Sequence, residues 1–382
     1  MQTVLDNTAI AGIGFTEFSK NSGRSELQLA VESGRAAMED AGMEPSDIDG
    51  MVTFTLDTSE EMQVQHCLGI PELRWTSRTP FGGAGSGATV QLAAAAVASG
   101  AAKAVLIYRA FNERSGKRFG QPGFRPTTTP AQNMHASYGL LTPAQIYALW
   151  FQPYMRKYNV TNEDLGHYTV LARKHAATNP QAWFYQRPIT LQDHQNSRWI
   201  VEPVFRLLDC CQESDGGTAI IVTSVERARD LKQKPVKIVA AAQSHLMGGD
   251  IMFNFYRGDL IRHEEAFTMS KQLWDASGLR PSDMDVAILY ENFTPVVLMS
   301  LEGHGFCKLG EAKDFIKDGN LEMDGMLPTN TNGGLLGEGY IHGMNNIQEG
   351  VRQVRGTAAN QVDKVQFAYV GGGRSGMILG HV

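Results

Sequence analysis

The sequence predicts an α/β protein built from two similar halves. Segments 42–54 and 278–290 resemble each other, and their first glycines are 236 residues apart. In each segment a helix ends at a glycine, the chain turns through Pro-Ser-Asp, and a buried strand follows. Continuous apolar strands that alternate with helices indicate sheets that are covered by helices on both faces.

The elements of the two halves follow in the same order. The helix before Gly42 has apolar residues at helical spacing, and Ser25 with Gln28 predicts a capping box at its start. Each half then continues with a glycine-rich loop, an apolar helix and a strand. These segments are 82–87, 88–99 and 103–108 in the first half, and 333–343, 344–354 and 364–370 in the second.

The two halves are predicted to be domains 1–234 and 235–382. The link is segment 230–235, which is charged and ends in proline. In the first half, segment 215–217 (Asp-Gly-Gly) predicts a turn before strand 218–223.

Residues 109–200 form an insert in the first half. It is predicted to contain helices at 144–157 and 162–177, with Thr161 and Asp164 capping the second. Long excursions of this kind usually bind ligands or partners. The chain around its start is basic, which fits either a solvated loop, or a phosphate contact or subunit interface; the cations are Arg109, Arg114, Lys117, Arg118 and Arg125.

Composition excludes several functions. The 382 residues are 42% hydrophobic and 19% charged, so the chain can bury a large core, and its net charge of −6 argues against a nucleic-acid surface. Its cysteines lack metal-ligand spacing, so we expect no metal. The adjacent pair, Cys210 and Cys211, is a poor disulfide candidate, so we expect a reducing cytoplasm. The apolar run 90–108 is interrupted by Gly100 and Lys103, which predicts a helix and a strand and not a membrane span. The N-terminus predicts no signal peptide.

Four short segments carry the residues of chemical interest. They are 84–87 (AGSG), 290–294 (YENFT), 330–343 (NTNGGLLGEGYIHG) and 369–373 (YVGGG). They resemble the catalytic loops of the thiolase superfamily, written C-A-S-G, N-E-A-F-A, N-x-N-G-G-x-x-x-x-G-H-P-x-G and C-x-G-G-G. The family's polar catalytic positions are replaced here; the substitutes are Ala84 for the cysteine nucleophile, Tyr290 for asparagine, Tyr340 for histidine and Tyr369 for the second cysteine.

The resemblance covers nearly the whole chain. Segment 207–217 is similar to the sterol-carrier, lipid-transfer branch, and Ala84, Tyr290 and Tyr340 match the thiolase-like aldolases of bacterial steroid side-chain degradation. This resemblance implies a thiolase fold, the duplicated five-layered αβαβα arrangement, in a homodimer. It also implies retro-aldol cleavage of a 17-hydroxy C22 steroid acyl-CoA to a 17-keto steroid and propionyl-CoA. No cofactor is implied, because coenzyme A is part of the substrate.

The resemblance further implies a partner, the OB-fold domain of an associated hydratase-type subunit. A partner would suit an acidic chain, since the phosphates of coenzyme A need positive charge from a local basic patch or from another subunit.

The chemistry that these loops allow follows from their side chains. Claisen cleavage requires a thiolate to take the acyl group, and Ala84 removes it. Retro-aldol cleavage requires a base at the β-hydroxyl, stabilisation of the thioester enolate and an acid at the α-carbon. Tyrosine fills both proton roles if neighbours lower its pKa from about 10. We predict Tyr340 at the hydroxyl and Tyr290 near the thioester, although the sequence does not fix that order.

For the other residues of these loops, a functional and a structural interpretation are both open. His342 orients a tyrosine or binds the thioester oxygen, or it is a structural loop histidine. Tyr369 supports the reaction or fills the volume of the missing cysteine site. Gly339, Gly371 and Gly372 are predicted to let the backbone approach the substrate, or to form tight turns.

The sequence is also compatible with two alternative functions. One is a non-catalytic thiolase-like scaffold that binds lipid or acyl-CoA through a decayed site. The other is an aldolase for a differently branched sterol side chain.

Overall fold

The computed structural model describes residues 4–80, 82–116, 118–119, 135–249, 252 and 255–382. The strands are β1 Thr8–Phe15, β2 Gly50–Phe54, β3 Trp75–Thr79, β4 Ala104–Asn112, β5 Trp199–Val201, β6 Phe205–Arg206, β7 Asp215–Ser224, β8 Val236–Gln243, β9 Val286–Leu289, β10 Phe367–Gly371 and β11 Ser375–His381. The helices are α1 Glu26–Ala41, α2 Glu61–Leu68, α3 Ser86–Ala98, α4 Pro143–Tyr158, α5 Asn162–Thr178, α6 Leu191–Asn196, α7 Val225–Ala228, α8 Glu264–Ser277, α9 Thr294–Gly303, α10 Ala312–Lys317, α11 Gly334–Gly337 and α12 Met344–Arg355.

The duplication is visible in the order of the strands. The main sheet runs β3-β2-β4-β7-β1-β8-β11-β10-β9. From the centre outwards, each half has a first strand, a strand antiparallel to both neighbours, and then parallel strands. Beyond β9, a parallel bridge between Ala287 and Thr329 takes the place that β3 has in the first half. The predicted duplicated α/β fold is therefore confirmed, whereas the domain boundary at residue 235 stays a prediction.

Five layers result from the way the helices pack. The two sheet halves meet where β1 pairs with β8, and α3 and α12 lie between them in one apolar cluster; its members include Val90, Ala94, Ile347, Val351, Val52 and Ile288. Helix α1 covers the outer face of the first half, and α8 and α9 cover that of the second. Because both sides of α3 are buried, this helix is apolar all round.

Both copies of the repeated segment have the predicted local structure. Helices α1 and α8 end at Gly42 and Gly278, which have φ values of 71° and 72°. Each Pro-Ser-Asp forms a 3₁₀ turn. The capping box at Ser25 is only half formed: Ser25 Oγ accepts from the Gln28 N–H at 3.1 Å, but the Gln28 side chain donates to Glu32.

One predicted turn is wrong. Residues 215–217 belong to strand β7, and Asp215 pairs with Asn112 of β4. Gly217 fits a strand here because α1 packs directly on it: a Cβ on Gly217 would lie 2.4 Å from the carbonyl oxygen of Leu29.

The insert contains the two predicted helices, as α4 and α5. The capping box of Thr161 and Asp164 is formed, and Asn330 donates to the hydroxyl of Tyr168 in α5 at 2.7 Å. The insert therefore packs on the glycine-rich loops of the second half. Of its predicted cations, Lys117 and Arg125 lie outside the described residues.

Two features are absent from the described part of the chain. It contains no helix long and apolar enough to cross a membrane. Over the same residues, no three histidine, cysteine or acidic side chains are grouped so that they could hold a metal ion.

Candidate active site

Two buried tyrosines meet where loops of the second half converge. Tyr290 follows β9 directly, and its N–H donates to the carbonyl oxygen of Gly371 at 2.8 Å. Tyr340 lies between α11 and α12. The two hydroxyl oxygens are 2.8 Å apart, in side chains that are only 5% and 6% exposed. The hydroxyl groups of the two predicted catalytic residues are thus hydrogen-bonded to each other.

Glycines shape the space around Tyr290. A Cβ on Gly83 would lie 2.1 Å from Cε2 of the Tyr290 ring, one on Gly343 would lie 3.0 Å from its Cδ2, and one on Gly372 would lie 3.2 Å from its Cβ. Gly83 and Gly343 precede α3 and α12, so the ring lies between the N-termini of both central helices. These glycines come from three different loops, and larger residues would exclude the ring.

Tyr340 is held from the first half of the chain. Its backbone N–H donates to the hydroxyl of Ser214 at 3.2 Å, and the ring of Phe111 lies edge-on at 6.2 Å. Gly339, a predicted substrate contact, instead lies against Phe18: a Cβ there would be 2.5 Å from that ring. The close approach at Gly339 therefore serves packing between the halves.

The pKa of each tyrosine is raised well above its usual range. Burial is the main cause for both; for Tyr290 the neighbouring Tyr147 adds to it, and for Tyr340 the neighbouring Tyr290 does. The condition that neighbours lower these pKa values is not met, because the hydroxyls are buried away from water beside other phenols and a carboxyl. Both tyrosines are therefore neutral at neutral pH. A neutral phenol can donate a proton, whereas only the ionised tyrosinate could act as a base.

His342 is a neutral side chain that packs beside Tyr340. It has φ 49°, and its Nδ1 accepts from Arg109 Nε at 3.2 Å, so its own proton is on Nε2. Arg109 also pairs with buried Asp57 at 2.8 Å. Burial, followed by the charge of Arg109, holds the pKa of His342 well below its usual range. The imidazole ring packs edge-on against Tyr340, with ring centroids 5.3 Å apart.

Tyr369 faces the outer helices. Its ring stacks on Trp274 at 5.5 Å and contacts His304 and Phe306. A Cβ on Gly371 would lie 2.6 Å from this ring. Within the described residues the Tyr369 hydroxyl has no hydrogen-bond partner. These contacts favour the interpretation that Tyr369 fills the volume of the missing cysteine site. Gly371 lacks a side chain because the ring of Tyr369 occupies that space.

Glu291, which sequence reasoning passed over, joins the catalytic loops. Its Oε1 accepts from the N–H of Leu335 at 2.7 Å. A Cβ on Gly334, which has φ +59°, would lie 1.6 Å from that oxygen. Burial raises the pKa of Glu291 to about 8. Its position next to Tyr290 was the available signal, because a buried acid inside a glycine-rich motif must bond backbone amides.

We expect Glu291 to make the fold less stable as pH rises. The folded state keeps this proton up to about pH 8, whereas the unfolded carboxyl loses it near 4.5. The stability due to this group is complete below its unfolded pKa and is lost as pH rises through the folded one. Glu291→Gln keeps an acceptor for Leu335, so between about pH 5.5 and 8.5 its melting temperature should fall by about 3 °C less than that of the wild type. Equal pH slopes would contradict this role.

Comparison with known proteins shows the family to which the chain belongs. Residues 254–381 match the sequence family described as Thiolase C-terminal domain-like. The chain is 57% identical over 381 residues to the steroid side-chain-cleaving aldolase of Thermomonospora curvata, covering 97% of both chains. It is 54% identical over 381 residues to the 17-hydroxy-3-oxo-4-pregnene-20-carboxyl-CoA lyase of Mycobacterium tuberculosis, covering 97% of this chain and 98% of that one. The solved structure of an Ltp2-ChsH2(DUF35) aldolase matches with a TM-score of 0.94 and 56% identity over 99% of both chains.

The chain therefore belongs to the thiolase superfamily, in the branch that includes sterol carrier protein 2, and has the thiolase fold. Within that branch it belongs to the family of steroid side-chain-cleaving aldolases. The resemblance of the four loops to the thiolase superfamily is therefore confirmed.

Proposed function

We propose that this chain is a retro-aldolase that cleaves the side chain of a 17-hydroxy C22 steroid acyl-CoA, giving a 17-keto steroid and propionyl-CoA. The observation that carries the proposal is the 2.8 Å hydrogen bond between the buried hydroxyls of Tyr290 and Tyr340. Alanine at position 84 removes the cysteine that would form an acyl-enzyme. Relatives at 57% and 54% identity, named for steroid side-chain cleavage and for a 17-hydroxy acyl-CoA lyase, support the substrate class.

The proposed reaction needs proton transfer and charge stabilisation but no covalent intermediate. The substrate hydroxyl loses its proton and becomes the C17 carbonyl, while the neighbouring carbon–carbon bond breaks. The electrons of that bond form the enolate of the propionyl thioester, whose α-carbon then takes a proton. The cycle neither gains nor loses a proton overall, so the site has to move one proton from oxygen to carbon.

The two tyrosines are suited to different ends of this transfer. We assign Tyr340 to the hydroxyl and Tyr290 to the α-carbon. Tyr290 lies between the N-termini of α3 and α12, where helix dipoles stabilise the negative charge of an enolate. The hydrogen bond between the hydroxyls lets Tyr340 return a proton to Tyr290 after Tyr290 has given its own to carbon. Because burial keeps both phenols neutral, a further group that holds the hydroxyl proton would complete the cycle.

The protein is proposed to act as a homodimer together with a second subunit. The matching solved aldolase is an Ltp2-ChsH2(DUF35) assembly. In this chain, Arg109 beside the site is already paired with Asp57, and Arg118 is paired with Glu213. An OB-fold domain of a hydratase-type subunit would then supply positive charge for the phosphates of coenzyme A. The four unpaired cysteines suit a reducing cytoplasm, where we place the reaction.

Product analysis by mass spectrometry tests this function. The 17-hydroxy C22 acyl-CoA is incubated with the chain alone and with the co-expressed partner. The proposal expects the 17-ketone and propionyl-CoA, formed faster in the presence of the partner. A ketone and acyl-CoA of other masses, from other branched sterol thioesters only, would favour the alternative aldolase. No cleavage by the folded, partner-bound protein would favour a binding scaffold.

A further inference from the structure

The tyrosine site contains a buried carboxyl that the two-tyrosine scheme does not use. Glu113 directly follows β4, at the carboxyl end of that strand, where sites in α/β proteins form. Its side chain is only 3% exposed, and its Oε2 has no hydrogen-bond partner among the described residues. A buried carboxyl oxygen without a partner destabilises the fold, so its presence needs an explanation in function.

Glu113 lies next to the tyrosine pair. The backbone N–H of Ser214 is hydrogen-bonded to the Glu113 carboxyl, and the hydroxyl of the same serine accepts from the N–H of Tyr340 at 3.2 Å. The charge of Glu113 is close enough to raise the pKa of both Tyr290 and Tyr340. Ser214 therefore connects the carboxyl of Glu113 with the backbone of Tyr340.

We propose that Glu113 is the base of this site, and that its unpartnered oxygen accepts the hydrogen bond, and then the proton, of the substrate's tertiary hydroxyl. This inference rests on the proposed retro-aldol function. A neutral phenol is a poor acceptor, whereas a carboxylate is a good one. Since no described residue bonds this oxygen of Glu113, the hydroxyl of a bound substrate would supply its hydrogen bond, which stabilises the complex relative to the empty site.

The proton and electron balance closes without another reactant. The O–H bond of the carbinol breaks and its proton binds Glu113, while the carbon–carbon electrons form the enolate. Tyr290 protonates the α-carbon and takes the proton of Tyr340. Glu113 then returns its proton to Tyr340, and all three groups regain their starting states.

Charged neighbours set the pH at which Glu113 ionises. Burial and then Glu213 raise its pKa well above the usual range, whereas Lys20 and Arg109 lower it. Tyr290, Tyr340 and Cys211 also interact electrostatically with Glu113. Because the base must be ionised, kcat should fall as pH drops through the raised pKa of Glu113.

Glutamine at position 113 gives the direct test, because it keeps the shape and removes the base. With the partner-bound protein, Glu113→Gln should lower kcat at least ~10²-fold and abolish the acid limb of the kcat–pH profile. Glu113→Asp should restore part of kcat together with the acid limb. Wild-type kcat and an unchanged acid limb in Glu113→Gln would overturn the proposal, although the wild type would still be an aldolase.

Glu213→Gln is the matched control. Glu213 is adjacent in space but ion-paired with Arg118 at 2.6 Å, so this variant should keep kcat within about threefold. Removal of its charge should also move the acid limb to lower pH, because Glu213 raises the pKa of Glu113. This shift decides the matter if Glu113→Gln does not fold: an acid limb that stays in place would overturn the role of Glu113. A wild type without cleavage would refute the proposed function itself.

Discussion

Tyr340→Phe and Tyr290→Phe are each expected to lower turnover at least ~10²-fold while the fold stays intact. Each substitution removes one hydroxyl of the 2.8 Å pair and leaves the ring that packs between the loops. Without either hydroxyl, a proton cannot pass between the carbinol end and the α-carbon end of the substrate. Steady-state kinetics and circular dichroism on the partner-bound protein would measure both parts of the expectation.

Tyr369→Phe provides the control for these two variants. Tyr369 is also fully buried, and its hydroxyl has no hydrogen-bond partner in the described part of the chain. Loss of that hydroxyl should change turnover by less than about threefold, because the ring keeps its contact with Trp274. If Tyr369→Phe were as inactive as the other two, or if Tyr290→Phe were nearly normal, the assignment of the pair would be wrong.

Gly83→Ala is expected to reduce turnover on the order of 10²-fold without touching a proton-carrying group. The new methyl group would lie 2.1 Å from the Tyr290 ring, which is well inside van der Waals contact. The ring must move, and its hydroxyl then loses its alignment with Tyr340. Overpacking of this kind typically costs about 1–3 kcal/mol of stability, so a lower melting temperature should accompany the lost activity.

Gly258→Ala is the matched glycine control. A Cβ at Gly258 meets no atom of the described residues within 4 Å, so this variant should keep both activity and melting temperature. Full activity in Gly83→Ala would mean that the position of the Tyr290 ring is not what limits the reaction.

The sequence predicted the fold because its evidence is local. The helix that ends at Gly42 and the one that ends at Gly278 are each followed by Pro-Ser-Asp and a buried strand, and both copies have that structure. The pairing of β1 with β8 leaves no such trace, since it depends on where two distant strands meet. The strand at 215–217 was missed because Gly217 is required by the close packing of α1 and not by a turn.

The site was predictable in its membership but not in its electrostatics. Motif positions identified Tyr290 and Tyr340, but their pKa values depend on burial, which only the folded chain determines. A motif gives the position of a residue in the loop but not the direction of its ring. The motif therefore suggested a supporting role for Tyr369, whereas its ring packs on Trp274. Glu113 lies outside all four motifs, at the end of a strand in the other half, and no spacing in the sequence connects it to the tyrosines.

The stoichiometry of products without added coenzyme A tests the central claim most directly. The partner-bound protein is incubated with the 17-hydroxy C22 acyl-CoA alone, and the products and the mass of the intact protein are followed through the reaction. Retro-aldol cleavage predicts equal amounts of 17-ketone and propionyl-CoA and a protein of unchanged mass. Cleavage that requires free coenzyme A, or an acylated protein during turnover, would contradict it.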